Sequence, residues 1–240
     1  FPASTASADR VVFGPGKTMG IKAALSRAIY HLSHLHDVPG LLLMPDVLVP
    51  ASLPSVFYVI TVFLVGGGKG KKTPGEDAAL SATMVTLISQ MVSNALLSLV
   101  LEPTQPTFLT VVQGMLLLDT VEYFVHRACH LNRKLYALAH ATHHSMPMQP
   151  ELALYNSAAE AGGVGILIVL TFAISEIGYS SFIITTTLGA IKTVWDHSCY
   201  STHHLGHHTK PYCNYEQPFF DIWDRLLGTK AYQEGKTKIP

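Results

Sequence analysis

The chain predicts an all-α integral membrane bundle of about four to five transmembrane spans, with a histidine-rich cap on the cytosolic side. Three observations predict it. Only 13% of the 240 residues are charged and 48% are hydrophobic, whereas soluble domains carry about 25% charged residues. Apolar stretches close to the roughly 20 residues that cross a bilayer recur from residue 43 onward. Nine histidines, all between residues 126 and 208, fall in repeated short spacings: His126-x3-His130, His140-x2-His143-His144, a lone His197, and His204-x2-His207-His208.

Composition narrows the function classes. Mean hydropathy is +0.29 and the formal net charge is zero, so lipid is the expected solvent and nucleic acid is not an expected partner. The three cysteines, Cys129, Cys199 and Cys213, are odd in number and form no CxxC pair. They fit a reducing compartment better than a disulfide framework. The opening stretch is not expected to act as a secretory signal, because it lacks charged, apolar and small-residue regions in order.

Residues 1–42 read as an N-terminal segment and 43–240 as the membrane domain. The first 20 residues are rich in Ala, Ser, Gly and Pro and are expected to be irregular. GPGKT at 14–18 resembles a phosphate loop, but the pattern needs a glycine at position 11, where Val11 stands. Residues 21–36 form an amphipathic pattern with Ile21, Leu25, Ile29, Leu32 and Leu35 on one side, as in a helix lying in the membrane interface. His31, His34 and His36 are read there as solvated side chains at headgroup level. The first span is expected at 43–65, kinked by Pro45, Pro50 and Pro54. A second covers 78–101 and ends at Glu102-Pro103, and a third covers 107–126 and runs into the first histidine pair. Segments 161–176 and 180–195 form a hairpin turning near Glu176-Ile177-Gly178. The remainder, 197–240, is polar.

Loop charge sets the orientation. Lys69, Lys71 and Lys72 are expected on the cytosolic side. Counting from there, loops 102–106 and 176–180 lie opposite, while 126–158 and 197–240 return to the cytosol with Arg127, Arg133, Lys134, Lys210, Arg225 and Lys230. All nine histidines are thereby expected at one membrane face.

Imidazole spacings of three and four residues place rings on one helix face. Neutral imidazole suits iron, zinc, copper and nickel. One tetrahedral zinc takes about four ligands, so His126, His130, His140, His143, His144, His197, His204, His207 and His208 are enough for two ions in one cavity. The bland alternatives are exposed surface histidines for the HxxHH boxes and a satisfied core histidine for His197. His203 is read as a neighbour, since only His204 completes the x2 spacing. Asp119, Glu122, Tyr123, His126 and His130 share one helical stripe. An ionisable group inside a span costs about 2.5 kcal/mol or more unless partnered. Asp119 or Glu122 is therefore expected to accept an N–H from a metal-bound histidine, with an ion pair to Arg127 or Arg133 as the structural alternative.

The run of HxxxH, HxxHH and HxxHH on a helical membrane chain resembles the fatty-acid hydroxylase/sterol desaturase superfamily. The resemblance covers about residues 115–230. It includes Asp119-Thr120-Val121-Glu122-Tyr123-Phe124-Val125-His126-Arg127, Ile191 to His197, and Asn214 to Thr229. Together with Asn156 and Glu160, the last two stretches resemble most the fungal sphingoid-base 4-hydroxylases. The likeness adds Asn156 and Asp196 to the residues expected to support the metal ligands. It implies two iron ions (zinc being possible in isolated protein), O2, electrons from cytochrome b5 or an NAD(P)H reductase, and a lipid substrate from the endoplasmic-reticulum bilayer. Lys236-Thr237-Lys238-Ile239-Pro240 also resembles a retrieval signal for that membrane.

Two departures stand out. Trp195 occupies a position where that branch carries an acidic residue, and His197 and His204 are only seven apart where similar enzymes have a longer segment. The expected activity is hydroxylation of a sphingoid base or ceramide. Sterol desaturation, sterol methyl oxidation and secondary-metabolite oxidation are the alternatives within the superfamily, and a non-catalytic metal-binding membrane protein is the alternative outside it.

Overall fold

A computed structural model describes residues 44–66, 75–175, 177–215 and 218–231, with isolated positions 26, 29, 30, 33 and 40 before them. Most of the amphipathic stretch 21–36 with its three histidines, the Lys69–Lys72 run, Glu176 and the Lys236–Pro240 tail lie outside the described residues. Every regular element among the described residues is helical, without a strand. Five long helices dominate: α1 (Pro45–Val65), α2 (Glu76–Leu97), α3 (Phe108–Leu131), α5 (Ala158–Ile174) and α6 (Tyr179–Asp196). Short elements complete the chain: α4 (Arg133–Leu135), a π-helical turn Tyr136–His140, 3-10 turns His143–Ser145 and Pro150–Leu152, α7 (His203–Thr209) and α8 (Ile222–Leu226).

Three of these helices, α1, α2 and α3, have the length and apolar composition needed to cross a membrane, and α5 is a shorter apolar helix. This is fewer than the four to five spans read from the sequence. The difference lies in the hairpin, where α5 has only 17 residues and α6 carries Lys192 and Asp196 in its last turns. The outer faces present large apolar side chains: Phe63, Leu64 and Phe108 are each at least 80% exposed. Water would not retain such a surface, whereas lipid tails cover it without penalty.

Local chemistry accounts for the ends. Pro45 opens α1, where a missing N–H costs nothing. Pro50 and Pro54 sit inside the helix, and polar side chains work on the same stretch. Asn94 Nδ2 donates to Ala51 O (3.2 Å) and Ser55 Oγ donates to Leu87 O (3.0 Å), so α2 is clipped to α1 beside the prolines. Thr107 and Thr110 form a reciprocal capping box that starts α3, and Ser157 caps α5 by accepting from Glu160 N–H.

α6 packs against both α1 and α3, and α5 packs along α3. The α3–α6 approach depends on Gly114, where an added Cβ would lie 2.5 Å from Thr185 Oγ1. Small residues play this part wherever membrane helices pack tightly. Tyr179 N–H donates to Glu102 O (2.7 Å), which sets the α5–α6 turn beside the α2–α3 connection. Both lie at the end of α3 opposite its histidines. One core cluster, including Leu97, Leu101, Phe172 and Phe182, fills that end. A second, including Tyr58, Leu87, Ala190 and Val194, fills the bundle toward the histidines.

Candidate metal centre

The last two turns of α3 carry His126 and His130 on one face. The second box does not continue as an α-helix. Ala141 N–H reaches back to Tyr136 O (2.8 Å), widening the chain to a π-helical turn that ends at His140, and His143–Ser145 then tightens to a 3-10 turn. π-Turns of this kind concentrate at functional sites. His197 caps α6, and α7 supplies the third box.

These elements gather the nine histidines into two groups. His126, His130, His140, His144 and His207 form one; His143, His197, His204 and His208 form the other, with the potential ligand atoms of each group within 4.8 Å of one another. Each HxxHH box therefore serves both groups. On a helix, residues four apart share a face and a residue three along points away by about 60°. His204 and His208 thus point into the same group while His207 turns to the other. His140 and His144 also fall in one group and His143 in the other, although this box lies on a π-helical and a 3-10 turn rather than on an α-helix. The groups adjoin, since the His144 and His208 rings are 4.5 Å apart.

The donor set fits metal ions. Nδ1 of His126, His197 and His207 lies 2.8 Å from the carbonyls of Tyr215, Thr193 and Cys213 respectively. A carbonyl cannot donate, so these Nδ1 atoms carry the hydrogen and the Nε2 lone pairs face inward. His140 Nδ1 meets Glu160 Oε1 at 2.5 Å and is oriented the same way. Nε2 atoms then crowd together: His140–His144 at 3.0 Å, His144–His207, His143–His197 and His197–His204 at 3.2 Å, and His204–His208 at 3.1 Å. Two nitrogens each about 2.1 Å from one shared ion, roughly at right angles, lie about 3 Å apart. Nε2 of His126 and of His130 is buried without any hydrogen-bond partner, a costly state that a cation relieves.

Burial, then repulsion among neighbouring rings, holds these imidazoles neutral. His140 and His208 are pushed down to about 2 and His143 and His204 well below the ordinary histidine range. Burial lowers His144 and His197 to about 4. It takes His207 to about 3 against the opposing effect of its bond to Cys213 O. Neutral imidazole is the form that binds metal.

The residues expected to support the ligands divide. Asp119, only 1% exposed, accepts from Phe219 N–H (3.0 Å) and Phe220 N–H (2.7 Å). It anchors the 218–231 segment to α3, a task completed by the Trp223–Thr120 bond (3.0 Å) and the Tyr123–Thr229 bond (2.9 Å). That segment in turn places Tyr215 O against His126. The hydrogen bonds of Asp196 go to Lys192 Nζ (2.6 Å to each oxygen) and Ser201 Oγ (3.0 Å). With the stacked Trp195–Tyr200 pair, this closes the short connection between His197 and His204 on itself. Glu122 and Asn156 line a cavity of about 160 Å3 that also touches His126, His140, His143 and His197. Arg127 donates to Tyr123 OH (2.9 Å). His203 joins neither group; its Nε2 lies 3.4 Å from Asp224 Oδ2.

The carboxylate that does meet a ligand histidine is Glu160. The sequence offered it only as part of a resemblance, since the 20 residues separating it from His140 follow no helical or strand period. The carbonyls of Tyr215, Thr193 and Cys213 leave no trace in a sequence at all, because every residue has one.

Residues 111–229 match the family model for fatty acid hydroxylase. Through that stretch the chain belongs to the fatty acid hydroxylase family. All nine histidines fall inside it. Over 140 residues the chain is 37% identical to a sphinganine C4-monooxygenase of Arabidopsis thaliana, covering 48% of this chain and 52% of the relative. It is 32% identical over 154 residues to a sphingolipid C4-hydroxylase of Saccharomyces cerevisiae, covering 54% and 43%. It is also 30% identical over 177 residues to a very-long-chain aldehyde decarbonylase of Oryza sativa, covering 62% and 66%. The chain spans about half the length of the sphingolipid-hydroxylating relatives it matches. No solved structure matches it.

Proposed function

We propose that the chain is a membrane lipid hydroxylase whose nine histidines hold two metal ions, and that it hydroxylates a sphingoid base or ceramide. The observation that carries this reading is the partition of the imidazoles into a group of five and a group of four. Five and four nitrogens each leave room in a six-coordinate sphere. The group of five exceeds the four ligands that close a structural zinc site. Open positions beside neutral nitrogen ligands suit iron; zinc in an isolated sample would reflect loading, since imidazole accepts both. When bound, iron with O2 and electrons from cytochrome b5 or an NAD(P)H reductase supplies an oxidant able to break an unactivated C–H bond.

The chain's own residues position the ligands and the lipid. Glu160 and the three carbonyls fix ring orientation from behind, which raises ligand basicity. The cavity beside the histidines is walled by Leu118, Val125, Val164 and Ile168, apolar side chains that receive a methylene chain and exclude water. Loop charge supports placing the centre at the cytosolic face of the membrane, where soluble and membrane-bound electron donors reach it, and the resemblance of the Lys236–Pro240 tail to a retrieval signal supports the endoplasmic reticulum as that membrane.

The test is metal content and product mass on gently isolated protein. Two irons per chain are expected, with O2-dependent addition of 16 mass units to sphinganine or its ceramide when a cytochrome b5/NADPH system is supplied. Loss of 2 units would indicate desaturation. The match to an aldehyde decarbonylase over 62% of this chain favours a second reading, with a very-long-chain aldehyde as substrate and a product one carbon shorter. Protein that bound metal yet consumed no O2 with base, ceramide, sterol or aldehyde would be a metal-binding membrane protein instead.

A further inference from the structure

We infer that Glu122 and Gln90 bind the ammonium group of an amino-alcohol head, so that the free long-chain base, rather than its N-acyl form, is the species the site receives. This rests on the lipid-hydroxylase reading. The cavity of about 160 Å3 beside the histidines is smaller than the roughly 300–1,000 Å3 pockets that enclose whole ligands. It admits one end of a lipid and the adjoining carbons only. The composition of its wall identifies which end. Glu122, Glu160, Asn156 and Gln90 line it, and no lysine or arginine does.

These groups lack what they need. Among the described residues no hydrogen bond or ion pair joins Glu122 to another side chain. Gln90 Oε1 and the second carboxylate oxygen of Glu160 are buried without partners. His143, 8% exposed, also lines the cavity, and its Nδ1 has no partner. Carboxylate and amide oxygens therefore need donors from outside, while the amide N–H groups of Gln90 and Asn156, and one imidazole N–H of His143 when Nε2 faces the metal, are the donors in the wall. A methyl terminus would leave every one of them unsatisfied, and a carboxylate or aldehyde head would accept from the amides or His143 yet bring no donor to Glu122, Gln90 Oε1 or the second oxygen of Glu160. A protonated amine beside a hydroxyl matches the set: ammonium N–H groups donate to Glu122 and Gln90, and the hydroxyl oxygen accepts from His143. The head entering first also places the carbons next to it, rather than the middle of the tail, against the histidine centre.

Charge-assisted hydrogen bonds are about twice as strong as neutral ones, so acylating the nitrogen should weaken binding by about tenfold or more. Metal-loaded protein in detergent micelles is titrated with sphinganine and with N-acetylsphinganine. Affinity is read from the shift in thermal midpoint, and KM from product mass. Wild-type protein is expected to prefer sphinganine by about tenfold in both readouts. Glu122→Gln and Gln90→Leu are each expected to erase that preference while metal stoichiometry stays at the wild-type level, and Glu122→Asp to restore part of it. Equal affinity of wild-type protein for the two lipids would overturn the assignment. So would a Glu122→Gln protein that loses metal and retains the preference, because the carboxylate would then balance the charge of the ions. A binding preference without oxidation of either lipid would leave the subsite standing and sink the hydroxylase reading. Oxidation of both lipids with no preference would do the reverse.

Discussion

His140 Nδ1 lies 2.5 Å from Glu160 Oε1, across 20 residues of sequence and between two different elements. The π-helical turn delivers the ring and the first turn of α5, capped by Ser157, delivers the carboxylate. Ser157 Oγ also donates to Ala139 O (2.7 Å), locking the two elements at the residue before His140. Replacing Glu160 with Gln keeps the shape and removes the charge behind the ring. Metal affinity of the five-histidine group should fall by about 10–100-fold. Chelator competition on purified protein checks this; unchanged affinity would mean that His140 is held by the fold alone.

The crossing of the two HxxHH boxes makes adjacent residues separable. His143 and His144 are neighbours in sequence and belong to different groups. Under the two-ion reading, His143→Ala should deplete the four-histidine site and His144→Ala the five-histidine site, each leaving about one ion per chain. Metal analysis of both variants measures it. If both lost the same ion, judged by the spectrum of a cobalt-substituted sample, the assignment to separate groups would be wrong.

Acid should unfold the metal-stripped protein through these same rings. In the unfolded chain histidine takes up a proton near pH 6.5. In the fold His140 and His208 resist to about 2, and His144 and His197 to about 4. Between those limits the unfolded state binds more protons, so stability rises with pH. It is fully present above about pH 6.5 and falls as pH drops below, by about 1.4 kcal/mol per pH unit for each ring still neutral in the fold. Thermal midpoints of stripped protein from pH 7.5 to 4.5 report the slope. A flat profile would show that the imidazoles are solvated rather than buried.

Asp119 has a structural task that its place in a helical stripe disguised. Its two oxygens hold the N–H groups of Phe219 and Phe220. Asp119→Ala strands both donors, at about 1–3 kcal/mol each, and frees the segment that brings Tyr215 O to His126. Loss of thermal stability together with weaker metal binding is expected; Asp119→Asn, which keeps one acceptor, should cost less. A variant as stable as the parent protein would mean that other bonds suffice to hold this segment.

The amino-acid sequence by itself determined the helical class, the apolar segments and the identity of the nine histidines. Each of these follows from local composition or from short spacing: hydropathy over about 20 residues, and rings at three and four residues apart. Boundaries were legible to within a few residues. The second span is read to 101 and α2 ends at Leu97; the third is read to 126 and α3 reaches Leu131. Tertiary structure alone decided which histidine joins which group, because rings carried by α3, the π-turn, the end of α6 and α7 meet only once those elements pack together. It also decided that Asp119 and Asp196 bind backbone, lysine and serine partners, while Glu160 stands behind a ligand ring. Those pairings join residues up to 101 apart in the chain. Carboxylates bind whatever donor the packed helices bring within 3 Å, and no periodicity in a sequence records that distance.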